Sequence, residues 1–256
     1  MADAIEKPIN NRAVNYDTFC VPLFIQPFMG EVSALASDCQ GDVLETACGT
    51  GVATAAIVAG GHGIRSIAAT DFDDSMVSRA QAKAWPAHVS FSTADAQALP
   101  FPESSFDAAF CAFGVMFFPD VQRALLSARR VLRSGSPLHL VTWGDFEEND
   151  AFILGDEVRA SLFPKERQHF GRDVLCRFSD PDTLEDELEK AGFGEVSVRP
   201  VRKQQPLGPH DLAHNLLASR GHVTSQDVQQ ARDVYQQLLK GRTEFTLLAN
   251  VMTARA

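Results

Sequence analysis

The sequence predicts an α/β fold: a mostly parallel sheet with helices on both faces. Three observations predict it. Short apolar strands alternate with helix-length segments from residue 41 to residue 144, the pattern of a doubly wound sheet. A glycine-rich corner, "CGTG" at Cys48–Gly51, joins the first strand to the helix after it. Three successive strands close on a carboxylate: Glu45, Asp71 and Asp95.

Residues 14 to 37 carry apolar groups at helical spacing (Phe19, Leu23, Phe24, Phe28, Val32, Leu35). Pro22, Pro27 and Gly30 predict that this stretch breaks into two short helices. From Gly41, "DVLET" reads as a buried strand and "GVATAAIVAG" as a small-residue helix ending at a glycine pair. "IRSIAATD" is a second strand, "DSMVSRAQAKAW" a helix stopped near Pro86, and "HVSFSTAD" a third strand ending at Asp95. "SFDAAFCAFG" is a fourth strand. "DVQRALLSARRVLR" is a helix with a basic last turn, as the helix dipole favours, and "SPLHLVTWG" is a fifth strand.

The alternation then stops. "NDAFILGDEVRASLF" reads as a helix and "PKERQHFGRDVLCRF" as irregular, together an insert or lid. "SDPDTLEDELEKAGF" is a helix with Ser179 as its N-cap and acids in its first turn. "EVSVRPVRK" is a sixth strand; two helical stretches run to Gly241, and "EFTLLANVMTA" is the last strand. The chain divides accordingly into an N-terminal helical cover (1–40), a core (41–145), a helical lid (146–178) and a completion of the sheet with a helical insertion (179–256).

The 256 residues suit one large α/β domain, and a chain that is 45% hydrophobic and 22% charged can bury a full core. The net charge of −10, with no dense Lys/Arg stripe, excludes nucleic acid as an expected partner. The five cysteines (Cys20, Cys39, Cys48, Cys111, Cys176) have no zinc or redox spacing and read as reduced. "MADAIEKPINN" is too polar for a signal peptide, and no uninterrupted apolar run approaches bilayer length. A cytoplasmic monomer or homodimer without a membrane span is the expectation.

Carboxylates at strand ends are costly in such a core unless they meet a partner. All three fall on the carboxyl edge of the sheet, where ligands of α/β folds bind. Three acids do not suit a pyrophosphate; they suit hydroxyls, amines or positive charge. The Gly49–Thr50–Gly51 corner lets backbone approach the ligand, and the amides opening the next helix can meet a carboxylate or hydroxyl. Asp71 lies 20 residues past Gly51, a fitting distance for gripping a ribose diol, and Asp95 could accept from an exocyclic amine. S-adenosylmethionine meets these demands. A nicotinamide dehydrogenase would need G-x-G-x-x-G, whose third position here is Thr54, and Glu45 would face the pyrophosphate.

Here the sequence resembles the class I S-adenosylmethionine-dependent methyltransferases, in the small-molecule branch that includes the ubiquinone/menaquinone-pathway C-methyltransferases. The matching pieces are "VLETACGTG", "ATDFDDSMV", "TADAQALPFPESSFDAAFCAFGVMFF" and "VLRSGSPLHLVTW", in the family's order. The resemblance covers residues 41 to 144 well and 179 to 200 loosely. It implies a Rossmann-like sheet of seven strands with an antiparallel last strand. It also implies that Glu45, Ala47, Gly49, Thr50 and Gly51 hold the amino-acid end of the cofactor and that Asp71 binds the ribose. Phe72 and Met76 would pack on the adenine, Asp95 would accept from its amine beside the Ala96 amide, and Cys111, Ala112 and Phe113 would border the methionine. Ala47 stands where the family has glycine, which narrows the room there, and Ser134 and Ser136 flank Gly135 as a turn variation.

The acceptor is expected to be small and partly apolar, such as a polyketide, quinone, phenol or thiol metabolite; the atom methylated stays open. Tyr16, Phe19, Phe113, Phe117, Trp143 and Phe170 are candidate acceptor contacts, and His169 and Tyr16 the candidates for proton transfer. His210 and His214 share a helix face but lack a third ligand, so no metal is expected. Two alternatives stay open: a non-methylating enzyme on this fold, and a cofactor-binding partner subunit. The product of methyl transfer would be S-adenosylhomocysteine.

Overall fold

The computed structural model describes residues 11–165, 169–206, 209–217 and 224–256. Seven strands form one sheet: β1 (Gln40–Thr46), β2 (Gly63–Asp71), β3 (Val89–Thr93), β4 (Ala108–Ala112), β5 (Pro137–Trp143), β6 (Gly194–Pro206) and β7 (Glu244–Arg255). Their order is β3-β2-β1-β4-β5-β7-β6. The first five pair in parallel, and β7 runs antiparallel to both β5 and β6. β4 and β5 are buried almost end to end, as continuous apolar runs must be when helices cover both faces. The chain winds from β1 outward to β3 and then crosses back to β4. That reversal opens a crevice at the carboxyl ends of β1 and β4.

The helices are α1 (Arg12–Ala36), α2 (Val52–Gly60), α3 (Asp74–Gln81), α4 (Val121–Val131), α5 (Asp150–Leu162), α6 (Pro181–Lys190), α7 (Pro209–Leu217) and α8 (Ser225–Leu239). Val121, Leu125, Ala128 and Val131 give α4 its buried stripe, and the Asp120 carboxylate caps it by accepting from Arg123 N at 2.9 Å. At α6 the expected cap shifts by one residue. Asp180 accepts from Asp182 N at 3.2 Å, with Pro181 opening the helix, while the Ser179 carbonyl accepts from Asn250 Nδ2.

The N-terminal stretch departs from the expected pair of short helices. It is one helical run whose middle, Tyr16–Ile25, is wound with i→i+5 hydrogen bonds, followed by a tight 3₁₀ turn at Gln26–Phe28. The widened turn relieves the clash between the Pro22 ring and the preceding carbonyl, so the prolines do not break the run. A window within Arg12–Ala36 is also long and apolar enough, by length and composition, to cross a membrane, although polar and charged residues such as Asp17 and Glu31 interrupt the apolar run. Phe24, Phe28, Met29, Val32 and Ala36 on this helix are buried in the core.

β6 and β7 form a long antiparallel pair whose register closes at Pro206 opposite Glu244. Helices α7 and α8 lie between these two residues, pack on each other, and reach back to α5. The pairing of His210 with His214 rests on side chains outside those described. All five cysteines are free.

Candidate active site

A cavity of about 1010 Å³ opens at the carboxyl edge of the sheet. The loop after β1 brings Ala47 and Gly49 to its wall, and β2 brings Asp71, Phe72 and, from α3, Met76. Asp95 and Ala96 follow β3, Ala112, Phe113 and Phe117 follow β4, and Trp143 ends β5. Tyr16, Cys20 and Phe24 cover it from α1. The i→i+5 winding explains that triplet: a turn longer than the α-helical one keeps residues four apart in line. Asp156 and Arg159 of α5, Phe170, and Tyr235 of α8 complete the far wall.

The glycine corner is held in an unusual backbone. Ala47, Gly49 and Gly51 have φ of 53°, 55° and 88°. Glycine takes such angles freely; alanine does not. Asp71 fixes the corner through two amides, Oδ2 accepting from Gly49 N at 2.8 Å and Oδ1 from Asp73 N at 2.9 Å. Burial nevertheless pushes the Asp71 carboxyl up, against those two bonds. Asp95 stands two residues past β3, rather than at its end, and caps the 3₁₀ turn Ala96–Ala98 by accepting from Gln97 N at 2.9 Å.

Four candidate cofactor residues are absent from this wall. Glu45 is 1% exposed and points into the helix layer, where its Oε2 accepts from Thr54 Oγ1 at 2.5 Å. Burial pushes its carboxyl up to about 8, with a further push from Asp71, and the Thr54 bond offsets part of this. Thr50 is fully buried and turns away from the cavity; its hydroxyl donates to the Asp17 carboxylate of α1. Asp17 also accepts from Arg79 Nε at 2.8 Å and Lys83 Nζ at 3.1 Å, and Lys83 Nζ donates to the Thr50 carbonyl at 2.7 Å. Gly51 faces a second groove beside Trp85 and Lys83, and a Cβ there would come within 2.7 Å of the Trp85 ring. Cys111 is buried under the loop, its thiol pushed up to about 12 by desolvation.

Among the acceptor candidates, Tyr16, Phe113, Phe117, Trp143 and Phe170 line the cavity. Phe19 falls off the Tyr16–Cys20–Phe24 line, and His169 is exposed, outside the wall. Phe113 and Trp143 stack with ring centroids 4.3 Å apart, and Phe152 meets Trp143 edge-on at 4.8 Å. Phe24 and Phe152, apolar residues of the N-terminal segment and the insert that the sequence points to as covering a greasy pocket, do line the cavity. Sequence reasoning missed Cys20, Asp156, Arg159 and Tyr235. The spacing of four from Tyr16 could have found the first; no local signal marks the others, which helix packing assembles. Among the described residues no group of three or more His, Cys, Asp or Glu could hold a metal.

Chemically, the wall near β2 and β3 offers carboxylate acceptors, and the wall near β4 and β5 offers aromatic rings. The first suits a polyhydroxylated or amine-bearing ligand, the second an apolar one.

Residues 44–140 match the family model of a methyltransferase domain. The ubiquinone/menaquinone biosynthesis C-methyltransferase UbiE of Acidiphilium cryptum is 30% identical over 170 residues, covering 61% of this chain and 68% of that protein. UbiE of Shewanella oneidensis is 28% identical over 216 residues, 76% of this chain and 84% of that protein. A solved SAM-dependent methyltransferase from Aquifex aeolicus aligns with a TM-score of 0.56 at 15% identity, covering 97% of this chain and 99% of that one, a likeness of fold. The chain belongs to the class I S-adenosylmethionine-dependent methyltransferases, and S-adenosylmethionine is its cofactor.

Proposed function

We propose that the enzyme transfers a methyl group to a small, partly apolar metabolite by in-line displacement inside the cavity at the carboxyl edge. The observation that carries this reading is that one cavity joins the Asp71–Asp95 carboxylates to the Phe113–Trp143–Phe152 aromatic cluster. The donor set fits the cofactor. Asp71 would accept from the ribose hydroxyls, Phe72 and Met76 would flank the adenine, and Asp95 would accept from its amine beside the Ala96 amide. Ala47, Gly49, Ala112 and Phe113 would border the methionine. Glu45, Thr50, Gly51 and Cys111 would act from behind this wall by holding the corner and the start of α2. Bound S-adenosylmethionine supplies an electrophilic methyl on a sulfonium.

The chain's part is to align the acceptor and exclude water. The buried rings of Phe113 and Trp143 keep the acceptor side dry. Tyr16 is read as an orienting hydrogen-bond donor. Burial first, then the charges of Cys20, Asp71 and Asp17, push its hydroxyl well above the ordinary tyrosine range, so it keeps its proton. His169 is too exposed to serve as the base in this arrangement. The relatives' name places them in ubiquinone/menaquinone biosynthesis; a ring-sized apolar acceptor for this chain fits the aromatic cluster. We read the described part of residues 1–40 as the cover of this site and the described part of 146–178 as its lid; residues 1–10 and 166–168 of these segments lie outside the described residues.

Calorimetric titration with S-adenosylhomocysteine tests the assignment. Asp71→Ala is expected to weaken binding by about 2 kcal/mol, roughly thirtyfold, because two charge-assisted bonds are lost. Undiminished binding in that variant would remove Asp71 from the site.

A further inference from the structure

The cavity has a second polar end. The sheet order puts β2 and β3 on one side of β1, and β5 and β7 on the other. Asp71 and Asp95 come from the first side; α5, which packs on β7 and α8, stands on the second. There Arg159, Asn215 and Tyr235 share the wall. The aromatic rings lie between the two ends.

Arg159 is a cation in need of a partner. Its guanidinium lies over the Phe170 ring, 5.6 Å from the centroid, and among the described residues it has no ion pair or side-chain hydrogen bond. The nearby carboxylate, Asp156 one turn earlier, is pushed up by burial and partly lowered by the Arg159 charge, but makes no ion pair or hydrogen bond with Arg159. Its Oδ1 accepts from Gly171 N at 3.1 Å. Its Oδ2 is turned onto Gly171, 3.2 Å from where a Cβ would stand, and is buried without a partner. The Tyr235 hydroxyl stands against Gly155, 3.8 Å from its Cβ position. Burial pushes that hydroxyl up, so it remains a donor. A guanidinium fork, a phenolic hydroxyl and an amide thus face one apolar space. A planar carboxylate matches such a fork bidentately.

We propose that Arg159 binds a carboxylate carried by the methyl acceptor, with Tyr235 as second donor and the apolar body of the acceptor lying on Phe113, Trp143 and Phe152. Arg159 is then a specificity-determining residue, and the acceptor class is an apolar, ring-sized carboxylic acid. The inference rests on the proposed reading of this cavity as the methyl-transfer site. Arg159 and Tyr235, the two donors, lie beyond the matched methyltransferase region, which ends at residue 140.

The test uses the full chain saturated with S-adenosylhomocysteine. 2-Naphthoate and its neutral counterpart 2-naphthalenemethanol are titrated calorimetrically into wild type, Arg159→Gln and Arg159→Lys. Wild type is expected to bind the acid at least about tenfold more tightly than the alcohol. Arg159→Gln should weaken the acid about tenfold and leave the alcohol within about twofold, while Arg159→Lys should keep part of the preference. Equal binding of the two probes by wild type, no binding of the acid at millimolar concentration, or undiminished acid binding by Arg159→Gln would each overturn the inference. S-adenosylhomocysteine affinity, measured on the same proteins, separates the two failures. Its absence in wild type overturns the reading of the cavity itself; its presence with an indifferent Arg159 overturns only the carboxylate.

Discussion

Burial of Glu45 without a cation makes its protonation a stability variable. Its folded pKa of about 8 lies above the unfolded carboxylate value. A raised folded value means that the contribution is full below the unfolded pKa and is lost as pH rises through the folded one. The apo protein should therefore lose stability between about pH 4.5 and 8, on the order of a few kcal/mol. Glu45→Gln keeps a group that can bond Thr54 and removes the titration. Its advantage over wild type in thermal unfolding should grow from pH 5 to 8 and then level off; parallel curves would show that Glu45 does not titrate there. Two residues on, Ala47 holds a left-handed backbone at φ 53°. Ala47→Gly should stabilise the protein by about 0.5–1 kcal/mol in denaturant melts, relief of strain outweighing the added unfolded-state freedom. Gly114 is the complement. A Cβ there would come within 2.4 Å of the Ala47 Cβ, so Gly114→Ala should cost about 3 kcal/mol, less in the Ala47→Gly background.

Helix α1 is tied to the glycine corner by unequal links. Asp17 joins Thr50, Arg79 and Lys83 with its side chain only 12% exposed. The outer link, Arg12 to Asp73 at 2.9 Å, leaves the Arg12 side chain 66% exposed. Exposed pairs contribute little. Asp17→Ala should speed S-adenosylhomocysteine dissociation at least about fivefold in stopped-flow displacement, because α1 carries Tyr16, Cys20 and Phe24 over the cavity. Arg12→Ala should leave that rate unchanged and shift stability by less than about 0.5 kcal/mol. Equal effects would mean that α1 is held by apolar packing alone. The same helix shows where sequence rules mislead. Pro22 and Pro27 are breaker signals for an α-helix, but an i→i+5 ladder followed by a 3₁₀ turn absorbs both.

Across the whole molecule, cofactor and fold are linked. A ligand that binds only the folded state at 100 times its Kd should add about 2.7 kcal/mol to stability. S-adenosylhomocysteine at that excess should raise the melting temperature of wild type about three times as much as that of Asp71→Ala, for which a roughly thirtyfold weaker Kd leaves about 0.9 kcal/mol. Much of the fold was legible because β1 to β5 and their helices are written locally: apolar runs, caps such as Asp120, and the glycine corner. Asp71 and Asp95 were legible as acids at or just past strand ends. The direction of Glu45 followed from less obvious grounds. Strand alternation sets it on the same face as Val43, toward α2 and Thr54, not toward the ligand. Arg159, Tyr235 and Asn215 were not legible, because three helices distant in sequence bring them to one wall.

Those last helices hang from a stem. Pro206 and Glu244 stand opposite each other, so the chain leaves and re-enters the sheet at almost the same point. The described helices between them meet the sheet chiefly through this stem and pack instead on α1 and α5. In evolutionary terms the stretch is an exchangeable cassette: lineages could diversify the molecules they modify while inheriting the methyl-donor half intact. A chimera that swaps residues 207–243 for the equivalent stretch of a relative should keep its donor affinity and change which apolar bodies the acceptor can have, while Arg159, outside the swap, keeps the preference for an acid.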